Sequence, residues 1–191
     1  MIPFRIFLGS SSESQHMVKK LEHFIKTINF PSEIQVIPRL WYKPGVFGLG
    51  NITIQTLEDE VSNSDFAIFV LSDDDRLNFR HQDYMCPRDN VVFETGFFMS
   101  RLGRERTVLV LPDSKYRGFD IPHKELTDLK GVTCLYCDLR NLPSDFPKDF
   151  SDRLEFSLKT AAEAIKDKIE SKNQAQAKLS SDTFYIPNIL R

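Results

Sequence analysis

A chain of 191 residues is long enough for one full domain with a short appendage, and no apolar run approaches the ~20 residues a membrane-spanning helix needs. Lys and Arg number 25 against 27 Asp and Glu, a net charge of -2, which excludes the basic footprint of a nucleic-acid binder. Hydrophobic residues at 41%, charged residues at 27% and 16 Phe describe a globular chain with a sizeable aromatic core.

The start, from Met1 to Ile6, lacks the basic and long apolar regions of a secretory signal. Three cysteines, an odd number, oppose a disulfide framework and favour a reducing compartment. A cytoplasmic protein without membrane or nucleic-acid partners is therefore expected. Cys134 and Cys137 form a Cys-x-x-Cys, but in a strand-like run their side chains point to opposite faces. Core packing is the expected role, and no metal site is expected.

Taken in chain order, residues 4–9 form a short β-rich run followed at once by Ser10-Ser11-Ser12-Glu13. The serines supply helix-capping chemistry, and Met17, Val18, Leu21, Phe24, Ile25 and Ile28 then recur at helical spacing. A strand–turn–helix of this kind points backbone N–H groups at an anion such as a phosphate, although small residues there can serve capping alone. Residues 34–37 read as a second strand. Residues 41–50 have the Gly/Pro punctuation of a loop yet carry three aromatics. These either anchor the loop or stack on a planar ligand, with Trp41 the stacking candidate. A helix over 53–63 follows, with Ile54, Leu57 and Val61 facing inward.

Residues 65–71 are a near-continuous apolar run, the pattern of a central strand covered on both faces. It ends in Ser72-Asp73-Asp74-Asp75, where the C-terminal edge of a parallel sheet should lie and where ligands bind in open α/β folds. Asp73, nearest the strand end, is the binding candidate; Asp74 and Asp75 read as a solvated acidic loop. Residues 76–87 read as a polar, mobile connection. A helix over 87–99 comes next, then strands at 107–112 and 132–137 with a short helical piece near 124–129 between them. A final helix spans 149–171. The predicted organisation is a five-stranded parallel sheet with helices on both faces, a flavodoxin-like α/β domain over 1–171. Residues 172–191 form a tail whose first part, 172–177, is linker-like.

The helix over 87–99 holds the sharpest functional signal. It is apolar almost all round, as buried helices are, yet carries the carboxylate of Glu94. With Asp89 or Asn90 as N-cap, the capping-box position falls on Val92 or Phe93, so Glu94 is not a capping acid. Asn90 lies one turn back on the same face. Either Glu94 is paired with a base such as Arg88 or Arg101, or it is functional. In an apolar pocket a carboxylate stabilises cationic character developing beside it, and cleavage of an N-glycosidic bond passes through an oxocarbenium-like state. A leaving group that is already cationic, such as nicotinamide, needs no general acid. The four histidines stand in no nucleophile or metal pattern, and Gly-x-Ser-x-Gly, Walker and Gly-x-Gly-x-x-Gly motifs are absent.

Phe4-Arg5-Ile6-Phe7-Leu8-Gly9-Ser10-Ser11-Ser12-Glu13, together with Pro87-Arg88-Asp89-Asn90-Val91-Val92-Phe93-Glu94-x-Gly96, resembles the bacterial TIR-like nucleotide-binding family. Within it the chain is most similar to TIR domains fused to STING or to cyclic-nucleotide sensors in anti-phage defence. The resemblance covers residues 4 to about 170 and implies a TIR fold. It further implies hydrolysis of NAD+, a substrate rather than a cofactor, to nicotinamide and ADP-ribose or a cyclised form. Glu94 would be the catalytic glutamate. Gly9, Ser10, Ser11 and the region of Trp41 would line the nucleotide pocket, with Asp73 and Asn90 as further binding candidates from position. The resemblance also implies activation by homo-oligomer or filament assembly once a cyclic-nucleotide sensor is engaged. Since residues 172–191 leave no room for a sensor domain, the sensor is expected in a missing part or a separate protein. The alternatives are a non-enzymatic TIR scaffold or nucleotide-binding module, and a nucleoside or nucleotide N-glycosidase.

Overall fold

The computed structural model describes residues 1–44, 54–116, 121–124, 126, 129, 131–141 and 144–182. Loop residues 45–50, half of the short helical piece near 124–129 and tail residues 183–191 lie outside the described residues. Strands β1 (Ile2–Ser10), β2 (Ile34–Leu40) and β3 (Phe66–Val70) are followed by a hairpin, β4 (Asp75–Phe79) and β5 (Gln82–Cys86), and by β6 (Thr107–Pro112) and β7 (Thr133–Cys137). Helices α1 (Gln15–Thr27), α2 (Ile54–Ser62), α3 (Asp89–Leu102) and α4 (Lys148–Asp182) connect or flank them. The main sheet is parallel in the order β2-β1-β3-β6-β7. This is the expected five-stranded flavodoxin-like arrangement, with β1 and β3 central.

Alternation along the strands splits the core in two. Ile6 and Leu8 of β1, with Ile68 and Val70 of β3, face α1 and α4. Phe7 of β1, with Ala67 and Phe69 of β3, faces α2 and α3. Cys137 packs in the first cluster and Cys134 against the second, so the two thiols lie on opposite faces as expected. Burial pushes the Cys137 thiol up to about 12. Phe98 of α3 stacks on Phe7 with ring centroids 4.3 Å apart and meets Phe69 edge-on at 5.3 Å. That aromatic cluster fixes the rotation of α3 and so the direction of Glu94, one turn earlier.

Gly9 ends β1 against the same cluster. A Cβ there would lie 2.6 Å from the Phe69 ring and 2.9 Å from the Phe7 ring, both fully buried. Gly9→Ala is therefore expected to destabilise the protein by about 1–3 kcal/mol, as overpacking does, read from urea denaturation midpoints.

Four expectations are corrected. Residues 76–87 are not a mobile connection but the β4–β5 hairpin, with Leu77 opposite Tyr84. Its turn residues Arg80 (φ 55) and His81 (φ 63) are left-handed, a conformation usually announced by Asn-Gly. The strands are held instead by Asp83, which takes Arg76 and Asn78, and by Lys124, whose ammonium lies 4.0 Å from the Phe79 ring centroid. Second, α4 does not stop at Ser171 but continues to Asp182. Residues 172–177 are polar yet contain no Gly or Pro, and Lys, Gln and Ala favour helix. Third, α3 starts two residues later than expected and is not enclosed all round: Phe93 is 56% exposed. Fourth, Ile54 does not face inward but is 62% exposed. Among the described residues no helix is long and apolar enough to cross a membrane.

Candidate functional site

Helix α3 crosses between β3 and β6, so its N-terminus lies at the C-terminal edge of the sheet. Arg88 is its N-cap, rather than Asp89 or Asn90, and Val92 N–H donates to the Arg88 carbonyl at 3.2 Å. Buried residues Val91, Glu94, Thr95, Phe98 and Leu102 follow helical spacing, and Glu94 is the sole charged member of that stripe. Its side chain is turned inward because its face is the one Phe98 commits to the core.

Glu94 is 6% exposed and makes no hydrogen bond or ion pair among the described residues. Burial alone pushes its carboxyl up to about 7. The pairing alternative is thereby corrected: Arg88 bonds Glu13 and Asp75 instead, and Arg101 is exposed on the outer side of α3. Glu60 on α2 shows what a structural buried glutamate looks like in the same protein. It is 4% exposed, and Arg39 of β2 donates to both its oxygens, Nε at 2.9 Å and Nη2 at 2.5 Å. One buried glutamate is paired; the other has no partner among the described residues.

The other predicted site residues fall into two groups along the sheet edge. Gly9, Ser10 and Ser11 end β1, and Trp41 follows β2. Trp41 N–H donates to the Leu8 carbonyl at 3.1 Å, and its indole N–H donates to Ser10 Oγ at 3.0 Å. The indole thus anchors the start of the loop to the first turn. Ser10 Oγ in turn donates to the Ser11 carbonyl at 2.8 Å. Ser11 is 4% exposed and its buried hydroxyl has no partner among the described residues. Asn90 is exposed one turn before Glu94, and its Oδ1 accepts from Val91 N–H at 3.0 Å.

The three consecutive aspartates after β3 are not a solvated loop; each has its own partner. Asp73 is bonded to His123 Nδ1, with both side chains buried. Ser72 Oγ donates to Asp74 at 2.8 Å and accepts from Ser14 Oγ at 2.6 Å. Asp75 meets Arg88 at 3.5 Å. His123, Arg88 and Glu13 are the residues that sequence reasoning missed at this edge. His123 lies 50 positions from Asp73, and Arg88 lies 75 positions from Glu13, so no local pattern signals these pairs. A cleft of about 480 Å³ at the edge, walled by Glu13, Ser14, Asp73, Asp74, Asp113 and Arg140 among others, does not include Glu94.

A parallel five-stranded sheet in the order β2-β1-β3-β6-β7, with helices on both faces, defines a flavodoxin-like α/β domain of the TIR class. The sequence model of the TIR domain of CAP12/Pycsar effector proteins matches residues 5–139, and the chain belongs to that family. It is 34% identical over 131 residues to the Pycsar effector protein BcPycTIR of Burkholderia cepacia, covering 69% of this chain and 39% of that one. It is also 34% identical over 168 residues to the CD-NTase-associated protein 12 of Lachnospiraceae bacterium (strain RUG226), covering 87% and 47%. The chain spans less than half the length of these relatives. Among solved structures, the SEFIR domain of IL-17 receptor B aligns with a TM-score of 0.47 and 12% identity over 84% of this chain and 97% of that one.

Proposed function

We propose that the chain is an NAD+ nucleosidase with Glu94 as its catalytic residue, acting as an effector in anti-phage defence. The observation that carries this reading is a buried carboxylate with no partner among the described residues, on the helix whose N-terminus lies at the C-terminal edge of the sheet. The reaction breaks the bond between ribose C1′ and the nicotinamide nitrogen. The bonding electrons leave with the nitrogen, which becomes neutral, and water adds to C1′ with release of a proton. Positive charge gathers on the ribose in the transition state, and an ionised Glu94 facing it stabilises that charge in a low-dielectric site. Because nicotinamide leaves as a neutral base from a cationic substrate, the leaving group takes no proton. Gly9 to Ser11, Trp41, Asp73 and Asn90 are the surrounding binding candidates, and Asp73 acts there through His123 rather than as a free carboxylate.

The switch for this activity is assembly of TIR domains into a homo-oligomer, driven by a cyclic-nucleotide sensor. Two relatives carry Pycsar effector and CD-NTase-associated names, and each is more than twice as long as the segment it shares with this chain. The test is nicotinamide release from NAD+ by wild type and Glu94→Gln at high protein concentration, with deoxynucleoside monophosphates in parallel. Nicotinamide from wild type alone is the expected result. Base release from the monophosphates in place of NAD+ cleavage would reassign the protein as a nucleotide N-glycosidase, and binding without product would leave a signalling module.

A further inference from the structure

Arg88 stands at the entrance to α3, and its guanidinium holds two carboxylates from two other parts of the chain. Its Nη2 lies 3.0 Å from Glu13 Oε1, at the start of α1, and 3.5 Å from Asp75 Oδ1, at the start of β4. One guanidinium with two carboxylates is over-neutralised. Around Glu13 the donors converge: Ser12 Oγ donates at 2.9 Å, and with Glu13's own main-chain N–H and Arg88 it holds the carboxyl below its ordinary value. A side-chain hydroxyl, a main-chain N–H and a guanidinium N–H are donors of the kind a phosphate oxygen takes. In the same turn Ser11 keeps a buried hydroxyl with its hydrogen-bonding capacity unused. Glu13 is half exposed, so its ion pair is of the weak, solvent-screened kind and can be exchanged at small cost.

We propose that Arg88 takes the diphosphate of the nucleotide substrate, and that Glu13 occupies that place in the resting protein as an internal competitor. Exchange of one anion for another keeps the charge on Arg88 balanced, and the released Glu13 turns to water. Asp75 keeps its contact with Nη2 and orients the guanidinium. The assignment rests on the dinucleotide reading above, since it supplies the substrate's anionic group with its partner.

ADP is the probe, titrated calorimetrically into the full chain as wild type, Glu13→Gln, Arg88→Gln and Arg88→Lys, each first shown to unfold at the wild-type temperature. Glu13→Gln is expected to bind ADP several-fold tighter, and Arg88→Gln about tenfold weaker, the size of one lost charge-assisted hydrogen bond. Arg88→Lys falls between, because an ammonium keeps the charge and loses the fork. Adenosine, which lacks phosphate, should bind all four alike, and Glu163→Gln on the exposed flank of α4 should leave ADP affinity unchanged. Equal ADP affinity in wild type and Glu13→Gln, or undisturbed binding to Arg88→Gln, overturns the proposal, as does absence of ADP binding up to millimolar concentration. Nicotinamide release measured on the same proteins separates the two readings. ADP affinities that follow the variants without any turnover leave the anion site standing and remove the hydrolase. Turnover with affinities that ignore the variants does the reverse.

Discussion

Glu94→Gln is expected to abolish nicotinamide release and, at pH 8, to raise the unfolding free energy by as much as about 3 kcal/mol, at 1.36 kcal/mol for each pH unit of displacement. The sign follows from proton counting. In the unfolded chain the carboxyl loses its proton near 4.5; in the folded protein burial holds the proton until about 7. Between these values the folded state binds more protons than the unfolded state, so stability falls as pH rises through the window. Below about pH 4.5 Glu94 is protonated in both states and the variant should match wild type, apart from the shape of an amide. Above pH 7 the wild type carries an unpaired buried charge that the variant lacks. Urea denaturation at pH 5 and pH 8 measures the difference. Activity runs the other way. Only ionised Glu94 stabilises a ribosyl cation, so kcat/KM should rise with pH and level off above about 7. A bound nicotinamide cation favours ionisation, so kcat should titrate at lower pH than kcat/KM. A Glu94→Gln protein that turns over NAD+ at the wild-type rate would remove the assignment, whatever its stability.

Arg39→Met is expected to have the opposite effect on stability, costing roughly 3 kcal/mol at neutral pH. The substitution keeps an unbranched apolar stem but removes both donors to Glu60, leaving that carboxylate buried and unpaired between α2 and β2. The penalty is the desolvated charge rather than the lost attraction. The double variant Arg39→Met with Glu60→Leu should therefore recover most of the loss, since an apolar pair of similar volume fits a buried ion-pair site. Urea midpoints of the three proteins decide it. Should Arg39→Met alone be as stable as wild type, the contrast between the paired Glu60 and Glu94, which has no partner among the described residues, would lose its calibration. NAD+ turnover should survive this variant, because neither Arg39 nor Glu60 is among the candidate site residues.

Much of the fold was legible because its signals are local. The runs at 4–9 and 65–71 are apolar on both faces, which only a central parallel strand requires, and Met17, Val18, Leu21 and Ile25 keep helical period to the last position. Errors came where local chemistry was uninformative. Arg80-His81 has no turn signature, so the hairpin read as a loop. Polar residues 172–177 read as linker because solvent-exposed helix and linker share a composition, and propensity alone separates them. Phe93 and Ile54 read as core because hydrophobic residues are often, but not always, covered.

The sequence by itself determined that a lone acid sits on an apolar helix, outside any capping position, in a doubly wound α/β chain. Those statements need only periodicity and offsets of three or four residues. Whether that acid had a partner was beyond it, since Arg88 and Arg101 flank it in sequence and local spacing does not say where either points. Tertiary structure decided the matter by giving Arg88 to Glu13, 75 residues away, and by turning Arg101 outward. It likewise gave Asp73 to His123 and Trp41 to Ser10, contacts 50 and 31 residues apart. The physical reason is that ion pairs and buried hydrogen bonds are chosen by which surfaces the sheet brings together, and only folding makes that choice.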